Sequence, residues 1–276
     1  MGTTDNKNAV APVYNSEYLV VQANELIRAK QDDLSLLEAK LIRFAISQIL
    51  QADTDFKTFR IEVTKLAKCL KMQKGNIYRE IDALTDEIMQ KRIYFYRDGA
   101  EEKKPNYKKF HWVDTAEYKD GTLTLKLSSE LKPYLLGLNE LFTQYPYADI
   151  LELPTYYSMR LFELLTSYQN VKFRGSSPQR RARRQPPAAA DEIVFSIEQL
   201  REYFQCDGKY ERQRDFVKYV IDNSVKAIND KTILRISYRI VRSGSKDITH
   251  IIFKIGNIIS QEIETTEGER ADNGRK

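Results

Sequence analysis

Apolar residues recur every three to four positions in some stretches of this chain and at every second position in others. That contrast predicts alternating helices and short strands. The longest helical pattern runs from Lys209 to Asp230, where Phe216, Val217, Val220, Ile221, Val225 and Ile228 share one face. Its first turn and opposite face carry Lys209, Arg212, Gln213, Arg214 and Lys218. A shorter amphipathic segment, SIEQLREYFQC from Ser196 to Cys206, precedes it, followed by the turn Asp207-Gly208. Two β-rich runs follow, Ile233 to Val241 and Ile248 to Gly256, joined by RSGSKD.

Short helix, turn, long helix with a basic start, then hairpin is the order of a winged helix-turn-helix. The first half has the same plan. FRIEV (Phe59 to Val63) alternates like a strand, Thr64 caps a short helix, and the turn Gln73-Lys74-Gly75 leads to NIYREIDALTDEIMQ, with Ile77, Ile81, Leu84 and Ile88 on one face. RIYFYR (Arg92 to Arg97) then takes the place of ILRISYR, and a cysteine closes the short helix in both halves, Cys69 and Cys206. YKKFHWVDTAEY (Tyr107 to Tyr118) reads as one further strand and TLTLKL (Thr122 to Leu127) as another. Upstream, Asp33 or Ser35 can cap a helix in which Leu36, Leu37, Leu41, Phe44, Ala45, Gln48 and Ile49 contain an apolar stripe. LKPYLLGLNELFTQYPYADILELP is apolar enough to pack between the two units. The expected fold class is α+β: tandem winged helix-turn-helix domains, mostly helical, with small antiparallel sheets. The expected boundaries are a loose 1–16, a first domain at 17–145, a second at 146–258 containing helix PTYYSMRLFELLTSY, and a loose 259–276. Within the second domain, 172–191 is Pro-, Gly- and Arg-rich, with no acid until Asp191, and reads as a disordered basic loop.

The chain has 276 residues, enough for two ordinary domains, and a net charge of +5. So small an excess means that the distribution of charge, and not its sum, bears on nucleic-acid binding. Two cysteines, each at the end of an amphipathic helix, fit buried thiols in a reducing cytoplasm rather than a disulfide. No apolar run approaches the ~20 residues needed to span a bilayer, and the N-terminus lacks a signal-peptide pattern. Catalysis has little footing. His111 and His250 fall in separate strand runs, no Cys/His cluster has zinc spacing, and no phosphate-binding loop is present. The expectation is therefore no catalytic residue, no metal ligand and no cofactor.

What remains is a DNA interface. Arg is suited to bidentate contact with guanine and Gln to adenine. The expected contacts are Lys209, Arg212, Gln213, Arg214 and Lys218 in the second domain. Lys74, Asn76, Tyr78 and Arg79 are their less basic counterparts in the first, where Glu80, Asp82, Asp86 and Glu87 follow closely. Arg242 and Lys246, with Lys103, Lys104, Lys108 and Lys109, sit where wings meet a backbone. The competing reading is a solvated helix face on which Glu211 and Asp215 pair with the bases. Tyr94, Tyr96, Phe110, Trp112 and Tyr118 look exposed beyond what a wing needs and suggest a self-pairing sheet edge; core filling is the competing reading, above all for Trp112.

With these residues in view, the chain resembles the iteron-binding, two-winged-helix plasmid replication initiators from about Val20 to Asn257. The resemblance is carried by VVQANELIRAKQDDLSLLEAKLIRFAISQI, LPTYYSMRLFELLTSY, and YERQRDFVKYVIDNSVKAINDKTILRISYR with GSKDITHIIFKI. It implies a bacterial cytoplasmic protein that binds origin iterons in double-stranded DNA and helps open an A·T-rich segment. It implies recruitment of the host initiator and replicative helicase. It also implies a homodimer, formed through the first domain, that represses its own gene at an inverted repeat. The family's second-domain reader falls on Arg212, Gln213, Arg214 and Lys218, and its first-domain reader near Lys74 to Arg79. The basic loop 172–190 departs from the compact family pattern. Two other classes stay open: a two-winged-helix transcriptional regulator without a replication role, and a DNA nickase or recombinase using one of the tyrosines.

Overall fold

The structure, a computed structural model, describes residues 18–69, 77–96, 106–172, 192–244 and 247–256, with the side chains of 68, 69, 77, 78 and 170–172 left undescribed. The first half opens with β1 (Leu19–Ala23), α1 (Asn24–Arg28) and β2 (Lys30–Gln31), then α2 (Leu36–Ile46). Ser35 caps α2 in a reciprocal box with Glu38, so the Ser35 reading of the cap holds, while the helix ends at Ile46, short of the expected Gln48 and Ile49. β3 (Phe59–Glu62), α3 (Val63–Cys69), α4 (Ile77–Gln90), β4 (Arg92–Tyr96), β5 (Tyr107–His111), β6 (Val113–Lys119) and β7 (Thr122–Leu127) follow. A 3₁₀ turn at Ser129–Leu131, α5 (Lys132–Leu135), β8 (Phe142–Pro146), α6 (Tyr147–Leu151) and α7 (Tyr156–Lys172) complete it. The second half is β9 (Glu192–Ser196), α8 (Ile197–Tyr203), α9 (Gln213–Phe216), a π-helical segment Val217–Asp222, α10 (Asn223–Lys231), β10 (Arg235–Ser243) and β11 (Asp247–Gly256).

Both halves use one sheet order. In the second it is β10-β11-β9, so the strand before the short helix pairs with the last strand of the hairpin. In the first it is β3-β7-β6, with the same logic. The counterpart of β10 is therefore β6, and not the RIYFYR strand that its sequence position suggested. β4 goes elsewhere, into a sheet ordered β2-β4-β5. The run Tyr107 to Tyr118, which reads as one strand, is two strands in two sheets. Trp112 is the corner between them. Its N–H donates to the Lys91 carbonyl at 3.2 Å, and its carbonyl accepts from Ser128 N at 3.0 Å. Trp112 and Val113 are consecutive and both buried, so the alternation loses its phase here, but a phase break does not say which strands the two sides will pair with.

The apolar segment placed between the domains also has a nearer partner. β8 pairs along its whole length with β1, from Leu19↔Pro146 to Ala23↔Phe142. α7, which the sequence reading groups with the second domain, is anchored on both sides. Its Glu163 binds Arg43 of α2 and Gln22 of β1, and it packs on α10 as well as α1. Trp112 and Phe110 are buried, whereas Tyr96, Tyr107 and Tyr118 are exposed. The self-pairing patch expected of five aromatics thus keeps Tyr96 and Tyr118 on the surface. The core-filling reading holds for Trp112 and extends to Phe110, because the corner turns both inward.

Candidate nucleic-acid interface

The helix expected to read DNA in the second domain is a continuous rod over residues 213–231, with a π turn in the middle. Phe216, Val217, Val220, Ile221 and Ile228 are buried and Val225 is half-buried against the core, as the period predicts. The rod begins later than Lys209. Gly208 (φ 70°) and Tyr210 (φ 52°) occupy the left-handed region, which no helix can include. Arg201 of α8 secures that loop by donating to the carbonyls of Tyr210 at 2.7 Å, Lys209 at 2.9 Å and Cys206 at 3.2 Å. Its guanidinium also lies over the Phe216 ring. The α8 end is set by Ser196 and Gln199, which form a second capping box.

The predicted contacts divide. Arg212, at the N-cap of α9, and Arg214 and Lys218 beyond it are exposed, and among the described residues none of the three makes an ion pair. Glu211 and Asp215 therefore do not neutralise them. Gln213 is used otherwise: its amide nitrogen donates to the Ile248 carbonyl at 3.0 Å and its oxygen accepts from Ile248 N at 2.7 Å. That pair of bonds fastens the rod to the wing strand β11 and occupies the amide edge that a bidentate contact with adenine would use. Gln213→Ala would strand both backbone groups, so an expected loss of about 1–2 kcal/mol should show in urea titration, with faster exchange of the Ile248 amide. Lys209 points away from the helix face to Asp33 of the first domain, 2.5 Å away. Arg242 is exposed next to a bulge in β10; Lys246 lies outside the described residues.

Sequence reasoning missed Tyr219, Asn223 and Lys226, which share the exposed side of the rod. Their spacing, i, i+4 and i+7, is legible in the sequence, but the basic residues at the helix start carry the stronger charge signal. Tyr219 stacks on Tyr210 with ring centroids 6.0 Å apart, so the loop and the rod carry one aromatic step beside Lys218. In the first domain, Lys74 and Asn76 lie outside the described residues, and Tyr78 and Arg79 fall in the first turn of α4. Arg79 is exposed, but so are Glu80, Asp82, Asp86 and Glu87 further along. Lys103 and Lys104 lie outside the described residues, and Lys108 pairs with Glu130. The hairpin equivalent to a wing there is β6–β7, whose tip is Asp120 (φ 48°) and Gly121 (φ 76°).

Among the described residues no group of His, Cys, Asp and Glu is arranged to hold a metal, and no described helix is long and apolar enough to cross a membrane. Residues 19–166 match the family model described as "Initiator Replication protein, WH1", and residues 196–255 the one described as "Initiator Rep protein, WH2". A solved structure, the MSBI1.176 WH1 domain of a replication protein isolated from a multiple sclerosis patient, is 15% identical. It covers 37% of this chain and 79% of its own, with a TM-score of 0.29, a likeness too slight to place any residue. The two matches fall on the two units built above, each of which contains a short helix, a longer helix and a three-stranded wing sheet, and the chain belongs to the initiator replication protein family, with two winged-helix domains.

Proposed function

We propose that this initiator binds directly repeated origin sequences in double-stranded DNA, with residues 213–231 in the major groove of each repeat. The observation that carries the reading is the trio Arg212, Arg214 and Lys218. They stand exposed and, among the described residues, in no ion pair, at the start of a helix whose other face is core and whose position Gln213 ties to the wing. Guanidinium groups so placed can make bidentate contacts with guanine, and Arg242 on the wing is positioned for the backbone. The first-domain helix, with its acidic flank, would contribute fewer contacts. Opening of an A·T-rich segment, recruitment of the host initiator and helicase, and self-repression as a dimer belong to the same proposal and rest on the family. Exposed Tyr118 on β6, an outer strand of its sheet, offers a surface for such a dimer. The initiator would act by binding, not by nicking.

Two measurements test this. A plasmid bearing the repeats but no initiator gene should replicate only when the chain is supplied in trans; DNA binding without replication would favour the transcriptional regulator. Arg212→Ala or Arg214→Ala should each cost ~1–3 kcal/mol on the cognate repeat and much less on random duplex. Equal losses on both would reduce these arginines to phosphate contacts.

A further inference from the structure

The loop that leads into the reading helix is tied to the other domain. Lys209 Nζ meets Asp33 Oδ2 at 2.5 Å, with the two side chains 48% and 52% exposed. Asp33 precedes the Ser35 cap of α2, and its carbonyl also accepts from Lys91 Nζ at 2.6 Å. Two further ties flank the pair. The Tyr203 hydroxyl donates to the Ile27 carbonyl at 3.1 Å, with the Arg160 carbonyl at 3.3 Å. Lys30 Nζ lies 3.5 Å from Glu202. All three reach from the helix-turn-helix of the second domain to the first half of the chain. Because Arg201 of α8 grips the carbonyls of residues 206, 209 and 210 and its guanidinium lies over the Phe216 ring, the loop is held both to α8 and to the start of the rod. A constraint on Lys209 is therefore passed to Arg212 and Arg214.

We propose that Lys209 is a positioning residue, and not a phosphate contact: its pair with Asp33 sets the second-domain reader relative to the first domain, so that both meet one duplex in register. This rests on the DNA-binding reading above and adds the device that aligns its two halves. Two linked readers bind jointly only as well as their geometry is preset; loosening the tie lowers the effective concentration of one half once the other is bound. An exposed ion pair is worth at most about fivefold in an equilibrium constant, so the direction of the change is more telling than its size.

The probe is a duplex recovered from a random library by the full chain, beside a shorter one keeping only the part of its footprint that Arg214→Ala erases. Asp33→Lys replaces a negative charge with a positive one, which by charge attraction alone should strengthen DNA binding. The expected result is the reverse: about fivefold weaker binding to the full duplex and little change on the short one. Adding Lys209→Asp to the same chain re-forms the pair in the opposite sense and should restore the full-duplex affinity. Asp33→Asn, which removes the tie without adding a cation, should fall between, with melting temperatures confirming that each variant folds. Tighter binding by Asp33→Lys, or a double variant weaker than Asp33→Lys on both duplexes, would make Lys209 a phosphate contact and overturn the proposal. Failure of the unaltered chain to recover any duplex would instead overturn the DNA-binding reading beneath it.

Discussion

Glu163→Ala is expected to destabilise the chain by about 3–5 kcal/mol, a large share of the ~5–15 kcal/mol that holds a folded protein together. Glu163 and Arg43 are both 0% exposed and face each other through two bonds, 2.9 Å from Nε and 3.0 Å from Nη2. Arg160 Nη1 lies 3.5 Å from the same carboxylate, Gln22 Nε2 donates to it at 3.0 Å, and the Tyr145 hydroxyl donates as well. One carboxylate thus answers two buried guanidinium groups. There is no slack elsewhere: Arg43 Nη1 and Arg160 Nε and Nη1 already have no hydrogen-bond acceptor. Truncation would leave both cations buried and uncompensated, which is why breaking such a pair costs more than making it gains. Burial, the largest single influence, pushes the Glu163 carboxyl up, but Arg43, Arg160 and the Tyr145 hydroxyl together hold it below its ordinary value. The folded pKa is the depressed one. The stability it supplies is therefore complete above the unfolded value and is lost as the pH falls through the folded one. Urea titration of Glu163→Ala and Glu163→Gln checks this, the latter losing less because it keeps an acceptor. A loss under ~1 kcal/mol for Ala would show that water replaces the carboxylate.

Trp112→Ala should cost a similar ~3–5 kcal/mol. Trp112 is fully buried at the corner where β5 leaves one sheet and β6 enters another, and the Arg43 guanidinium lies 5.0 Å from its ring centroid. Removing the ring opens a cavity between two sheets held at this joint by the backbone bonds of Trp112 to Lys91 and Ser128, so the void cannot close without moving both. Among the described residues the indole N–H meets no acceptor, so Trp112→Phe should sacrifice mainly volume and cost about 1–1.5 kcal/mol. Because Glu163 and Trp112 both touch Arg43, the Trp112→Ala and Glu163→Ala losses should not add. A double-mutant cycle closing within ~0.5 kcal/mol would show that they act independently. As the chain has a single tryptophan, its emission reports directly on this corner in the Glu163 variants.

How far the sequence carried this protein depends on the range of each interaction. Helices were legible because their signals are local. The apolar face of 213–231, the Ser35 cap of α2 and the short-helix, long-helix, strand order in both halves all arise from residues within a few positions of one another. The exposed cluster Arg212, Arg214 and Lys218 followed from the same periodicity, since a buried face implies its opposite. The resemblance to plasmid initiators was legible for the same reason: contiguous blocks carried it.

Tertiary structure decided whatever depends on partners distant in sequence. Trp112 divides what reads as a single strand because β5 meets β4 while β6 meets β7, and alternation does not name the partner of a strand. Gln213 looks like a base reader until Ile248, 35 positions away, takes both ends of its amide. Lys209 looks like a basic helix residue until a left-handed loop and Asp33, 176 positions away, claim it. Glu163, Arg43 and Arg160 are charged residues that hydrophobic patterning would place outside; only a neighbour of opposite charge, brought near by the fold, makes their burial affordable. A local code can say which face of an element is apolar. It cannot say which polar group will be answered by another, because that depends on a distance that exists only after folding.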